Sequence, residues 1–308
     1  DGGVVRRLSS SKTSPLCTAG GKYGKQARDL MRLQPDNFTH LLEGFAGGLN
    51  FTGYALAIDL VRPDNCFATE LDVKVCDFFK CLQARPKELI SELNKLEKLY
   101  GRGSIELFKS ALNNMNNSNQ LKRAISFYIH NQTVFGGIRA LQKEENYSPK
   151  RTLTKGLRKS ALDKLYAHSS RLYGVVLKHA SYQTAIRRAV FLQDDAFLIL
   201  DAPYPHHERL GHYKGHDVEL YGFKFSQEKY VKNVRAIKAE TNVMVTTSDL
   251  AFNRKHLKDL LLIRRPVKYA VGRQKGKKTE ETRYELVALN YEPTGLRGTI
   301  NDLGWEIL

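Results

Sequence analysis

The apolar run Ala196-Phe197-Leu198-Ile199-Leu200, closed by Asp201-Ala202-Pro203-Tyr204, constrains this chain more than any other stretch. A short apolar run that ends in an acid, a proline and an aromatic ring reads as a buried strand stopping at a rigid turn. In an open α/β sheet, ligands gather at the carboxyl ends of the strands. Such a turn offers a carboxylate, a backbone carbonyl and a stacking ring to one planar molecule. These groups suit an amino-bearing base drawn out of a nucleic-acid stack.

The charge balance points the same way. Among 308 residues, Lys plus Arg number 49 and Asp plus Glu 32, a net charge of +17 that calls for a polyanionic partner. No apolar run is long enough to span a bilayer and no basic amphipathic helix stands out, so a membrane is not that partner. A hydrophobic share of 42% supplies a sizeable core. Cys17, Cys66, Cys76 and Cys81 form no C-x-x-C pair, so free thiols in a reducing cytoplasm are expected and a zinc site is not.

Along the chain, a basic arm leads to Ala19-Gly20-Gly21-Lys22 and a helix expected over residues 25 to 33. Glycines ahead of a helix let backbone N–H groups approach an anionic ligand group. A strand is expected over residues 40 to 45, containing Glu43 and Phe45, and runs into the glycine turn Ala46-Gly47-Gly48. A second strand, residues 66 to 70, ends in Glu70, placed as acids that take a ribose hydroxyl are placed. A solvated Glu at a strand end is the competing reading. The turn lacks the G-x-G-x-x-G fingerprint, which argues against a nicotinamide cofactor.

Residues 73 to 172 read as helical, with an amphipathic leucine stripe over residues 86 to 100, a helix over 121 to 130 and an Asn-rich loop at 113 to 119. Residues 131 to 160 are polar and basic. The sheet resumes with strands expected at 173 to 177, 196 to 201, 242 to 247, 267 to 271 and 284 to 289, and helices near Ala185, at 226 to 239 and at 256 to 262. A basic loop, Arg273-Gln274-Lys275-Gly276-Lys277-Lys278, separates the last two strands. His206, His207, His212 and His216 fit no defined metal site; a loop closing over the base, with Tyr213 or Tyr221 near it, is expected there.

The ordered motifs resemble the Dam-type DNA adenine methyltransferase family over nearly the whole chain. Ala19, Gly20, Gly21 and Lys22 match an AGGK motif; Glu43, Gly44, Phe45, Ala46 and Gly47 match an E-P-F-x-G cofactor loop; Asp201, Ala202, Pro203 and Tyr204 match D-P-P-Y. The resemblance implies an α/β fold: a Rossmann-like S-adenosylmethionine methyltransferase sheet with a mainly helical inserted target-recognition module. Catalytic parts would span residues 1–72 and 173–308, with the insertion at 73–172. Ala19 to Lys22, Glu43, Phe45, Ala46, Gly47, Glu70 and Asp201 would hold S-adenosylmethionine. Asn131, Arg139, Lys150, Arg151, Lys155, Arg273, Lys275 and Lys277 would contact double-stranded DNA.

The motifs depart from the family pattern at five places: Ala202 and Gly44 each replace a proline, Leu49 replaces a glycine, Ser181-Tyr182-Gln183-Thr184 offers no acid for the cofactor adenine, and Gly136-Gly137, following Asn131, stands for an Asn-Gly pair. Ala202 keeps its carbonyl, and Pro203 keeps it extended. Leu49 would be strained if its position needs a positive φ. The expected reaction is methyl transfer to the amino group of a flipped adenine stacked on Tyr204, with Asp201 and the Ala202 carbonyl as acceptors and no metal. A catalytically impaired relative that binds DNA or a partner, and an RNA adenine methyltransferase, remain alternatives. The resemblance further implies a bacterial or phage, nucleoid-associated cytoplasmic protein, a monomer or weak dimer, and admits a cognate restriction endonuclease as partner.

Overall fold

The computed structural model describes residues 14–17, 22, 24–101, 103–134, 137–139, 141–148, 157–203, 225–237, 240–268 and 282–308. In chain order its elements are α1 (Lys25–Met31), β1 (His40–Glu43), α2 (Asn50–Ala57), β2 (Cys66–Glu70), α3 (Val73–Ala84), α4 (Pro86–Tyr100), α5 (Ile105–Asn114), α6 (Gln120–Thr133), α7 (Lys159–Leu172), β3 (Val176–His179), α8 (Tyr182–Leu192), β4 (Ala196–Asp201), α9 (Gln227–Arg235), β5 (Asn242–Ser248), α10 (Ala251–His256), β6 (Leu261–Lys268), β7 (Thr282–Leu289), α11 (Leu296–Leu303) and β8 (Glu306–Ile307). The chain is mixed α/β, as expected. None of the described helices is long and apolar enough to cross a membrane.

Two compact units share these elements: Asp1–Arg28 with Ala46–Ser181, and Asp29–Phe45 with Tyr182–Leu308. In the second unit the strand order is β1-β4-β5-β7-β6-β8. β4 lies parallel between β1 and β5, with Leu42 opposite Leu198 and Asp201 opposite Thr246. Its residues Ala196 to Leu200 are at most 1% exposed. Burial on both faces is why this strand reads as a continuous apolar run and not as an alternation. β7 runs antiparallel to both β5 and β6, closing that side with a hairpin.

In the first unit β2 and β3 are parallel, with Glu70 opposite His179. In the chain between them the described regular elements are the helices α3 to α7, a 3₁₀ turn at Glu144–Asn146 and the isolated Val134–Tyr147 bridge, joined by turns and loops. Its helices start where side chains take up orphan N–H groups: Asp72, Ser104 and Asn119 cap α3, α5 and α6, and Pro86 opens α4. Apolar faces lock α3 against α6, where Phe78 stacks on Tyr128 at 5.3 Å and 6°. Beside that stack, buried Asp77 accepts from Gln120 and Arg123, each at 2.8 Å.

Several expected boundaries move. The strand expected at 173 to 177 starts at Val176, because Gly174 turns left-handed (φ 99°) as the chain leaves α7. The helix expected at 256 to 262 does not form. The helix is α10, ending at His256, and Leu261, Leu262 and Ile263 already belong to β6, paired with Leu289, Ala288 and Val287. Of the strand expected at 267 to 271, Val267 and Lys268 are the end of β6, which begins six residues earlier, at Leu261, and residues 269 to 271 lie outside the described residues. A short apolar run carries no period that separates helix from strand; the partner strand decides.

Candidate active site

The carboxyl end of β4 is held from below and from the side. Asp201, half-buried, closes the strand; Ala202 (4% exposed) and buried Pro203 follow. Across the parallel register, the hydroxyl of fully buried Thr246 donates to Asp201 Oδ1. One residue back, the Leu200 carbonyl accepts the Tyr230 hydroxyl at 3.2 Å. Burial, then the charge of Asp201, pushes the Tyr230 phenol well above its ordinary range, so it stays a proton donor.

Gly44 fits this place for two reasons. Its N–H donates to the Ile199 carbonyl at 2.9 Å, which a proline could not do. A Cβ there would lie 2.4 Å from Leu200 Cδ2 and 3.2 Å from Tyr182 Cβ. The next residue, Phe45, stacks on Tyr182 at 5.0 Å and 20° and meets Phe225 and Tyr230 edge-on at 5.7 and 5.8 Å. Tyr182 is fixed in turn by Asn233, whose amide donates to its hydroxyl at 2.8 Å. Offset and edge-on contacts of this kind make a rigid aromatic cluster. Sequence reading missed Tyr182, Phe225, Tyr230 and Thr246 as site residues; only a strand register would have exposed Thr246.

In the first unit, the glycine turn closes on Glu70. Ala46 N–H donates to the Thr69 carbonyl and Gly47 N–H to Glu70 Oε2, both at 2.9 Å. Asp72 N–H donates to Glu70 Oε1 at 3.0 Å. Arg139 approaches both oxygens, at 3.3 and 3.5 Å, and lies 3.6 Å from Asp72. Glu70 is 6% exposed and Arg139 8%. Glu70 is thus no solvated strand-end acid but part of the turn. Gly47 has φ 48° and Leu49 φ 54°, so the position of Leu49 does require the left-handed region. Leu49 is also 1% exposed and leads into α2, its carbonyl accepting from Gly53 N–H at 2.8 Å.

Two residues expected at a DNA surface are turned inward. Asn131 Oδ1 accepts from Cys17 N–H at 2.9 Å, and its Nδ2 donates back to the Cys17 carbonyl at 2.5 Å. Gln132 reaches the Pro15 carbonyl at 3.2 Å. Gly137 (φ 66°) packs so closely that a Cβ would lie 2.3 Å from the Cys17 carbonyl oxygen. Arg139 sits on Glu70 as above. Of the AGGK stretch, Lys22 is buried at 1% exposure, and Glu43 at the end of β1 is buried at 3%. Ala19, Gly20, Gly21, Lys150, Arg151, Lys155, Tyr204, the histidine run from His206 to His216, Arg273, Lys275 and Lys277 lie outside the described residues.

Comparison with known proteins identifies the class. No curated protein matches the sequence. Among solved structures, the chain is similar to an rRNA methyltransferase, aviRa from Streptomyces viridochromogenes, at 13% identity over 93% of this chain and 94% of that one, with a TM-score of 0.35. A likeness that remote carries no argument about activity. The family model for the D12 class N6 adenine-specific DNA methyltransferase matches residues 19–271. That span takes in the AGGK stretch, the glycine turn, Glu70, the helical run and Asp201 to Tyr204, and the chain belongs to the D12 class N6 adenine-specific DNA methyltransferase family, whose members are S-adenosylmethionine-dependent enzymes.

Proposed function

We propose that the chain methylates the exocyclic amino group of an adenine flipped out of a specific duplex site, using Asp201 and the Ala202 carbonyl as the acceptors that hold that group. The observation that carries this reading is the fixed Asp201 carboxylate at the end of β4, oriented by Thr246 and set on a backbone whose Leu200 carbonyl is tied to Tyr230. Two acceptors on the amino hydrogens point the nitrogen lone pair in one direction, which is the orientation an in-line displacement requires. The two proline losses leave this arrangement in place: Ala202 retains its carbonyl and Gly44 gains a bond to Ile199. That favours an active enzyme over a catalytically impaired relative.

The residues present fit S-adenosylmethionine. A buried carboxylate, Glu70, is pinned to a turn whose Gly47 and Leu49 take left-handed backbone, the design by which α/β folds receive a ribose. Glu70 would accept the ribose hydroxyls, and Ala46, Gly47 and Lys22 would line the cofactor. When bound, the cofactor supplies an electrophilic methyl group on a sulfonium, a good leaving group. Asp201, or a water beside it, takes the proton that the amino nitrogen releases.

The helical run at 73–172 is assigned to target recognition, with Lys150, Arg151, Lys155, Arg273, Lys275 and Lys277 neutralising phosphates; affinity would then fall steeply with salt. The deciding experiment is transfer of labelled methyl from S-adenosylmethionine to unmethylated duplex DNA, with an equal amount of RNA as competitor. Label on adenine in DNA, absent for Asp201→Ala, is the expected result. Label carried by the RNA instead would overturn the DNA assignment.

A further inference from the structure

We propose that Thr246 is a positioning residue for the methyl transfer: its hydroxyl holds Oδ1 of the Asp201 carboxylate and thereby fixes the direction in which that carboxylate meets the adenine amino group. The inference rests on the catalytic reading of Asp201. Thr246 is on β5, directly across the parallel register from Asp201, and is 0% exposed. Its hydroxyl is spent on Asp201 Oδ1. Thr247, the next residue, serves a different purpose: its hydroxyl oxygen accepts from Asn253 at 3.0 Å. Successive side chains of a strand point to opposite faces, so of these two threonines only Thr246 can reach the acid.

An aspartate at a strand end has little of its own to fix its carboxylate plane, because its last torsion is broad and roughly two-fold. A donor from a fully buried neighbour removes that freedom. It occupies an Oδ1 lone pair and sets the plane in which the carboxylate, with the Ala202 carbonyl, meets the two amino hydrogens. Tyr230 does the matching work on the backbone, tying the Leu200 carbonyl at 3.2 Å. Side chain and main chain of the same strand end are therefore held by separate hydroxyls from β5 and α9.

Thr246→Val keeps the shape and deletes the hydroxyl; Thr246→Ser keeps the hydroxyl. With labelled methyl transfer to mixed-sequence unmethylated DNA, Thr246→Val should lower kcat on the order of 10–100-fold, the size expected from lost orientation. The KM for DNA, the melting temperature and the calorimetric Kd for S-adenosylhomocysteine should stay within about twofold of wild type or unchanged, since only orientation is altered. Thr246→Ser should restore most of the rate. A wild-type rate for Thr246→Val beside an inactive Asp201→Ala would overturn the role of Thr246 and leave that of Asp201 standing. An active Asp201→Ala would overturn both. Equal rate losses in the Val and Ser variants, with S-adenosylhomocysteine affinity falling in step, would show packing and overturn the proposal.

Discussion

Glu70 and Asp201 are both acids at the carboxyl end of a buried strand, yet they are held in opposite ways. Glu70 is gripped by two backbone amides and approached by a guanidinium, and is 6% exposed. Asp201 is half-buried and steadied by a neutral hydroxyl. Donors of full or partial positive charge stabilise a carboxylate and make it part of the scaffold. A hydroxyl donor of this kind fixes the direction of a carboxylate oxygen. The difference is the one expected if Glu70 builds its site and Asp201, as proposed, meets the substrate.

The largest expected effect breaks the pair apart by function. Asp201→Ala should reduce methyl transfer by about 10²–10³-fold or more, comparable to deleting a preorganised electrostatic contact, with little change in melting temperature. Glu70→Ala should weaken S-adenosylhomocysteine binding in calorimetry and also destabilise the fold by about 2–3 kcal/mol, because Arg139 then loses a buried partner and keeps Asp72. An unaltered denaturation midpoint for Glu70→Ala would erase the contrast. Next comes Leu49→Gly. Relief of left-handed strain is worth about 1–2 kcal/mol, whereas removing a buried leucine costs about 2–5 kcal/mol. The variant should therefore be less stable despite restoring the glycine; a gain in urea midpoint would show that strain dominates.

Gly44→Ala sharpens the comparison at the Asp201 end. Its Cβ must push Leu200 Cδ2 and the Tyr182 Cβ aside, so overpacking of about 1–3 kcal/mol is expected in chemical denaturation. The smallest effect lies at the Glu70 end and depends on pH. Cys76, whose thiol donates to the Glu70 backbone carbonyl, is pushed up to about 12 by burial, then by the charge of Glu70. Its folded value exceeds the unfolded one of 9.0, so the folded state retains a proton that the unfolded chain sheds. Stability should fall as pH rises from about 9 towards 12, and replacing Cys76 by Ala should flatten that slope in pH-resolved melting curves.

The two ends were also unequally legible in the sequence. β2, β4 and α4 stand where the apolar runs and Pro86 placed them, because each carries its own signal of length, burial and stop. The glycine turn and the acid that follows were readable as a pair. Thr246 and Tyr230 were not: one is a threonine in a valine-rich strand and the other a tyrosine in a polar helix, and only the register of β4 with β5 and the packing of α9 give them meaning. Arg139 and Asn131 were read as surface contacts because a basic, polar stretch looks solvated until its partners are known. The Leu261 to Ile263 run failed for want of a period, and its identity came from β7.

The clasp between Asn131, Gly137 and the Cys17 backbone bears on modularity. A recognition segment is attractive as an exchangeable cassette, to be swapped between relatives to change the site that is read. On the proposed assignment of residues 73–172 to target recognition, that segment carries the hook that fastens the stretch just ahead of the AGGK residues. A chimera cut at the ends of the helical run would import another hook, shaped for another amino-terminal segment. Grafts that keep Asn131 and Gly137 from this chain, or that move residues 14–17 along with the insertion, should tolerate exchange far better than grafts that divide them.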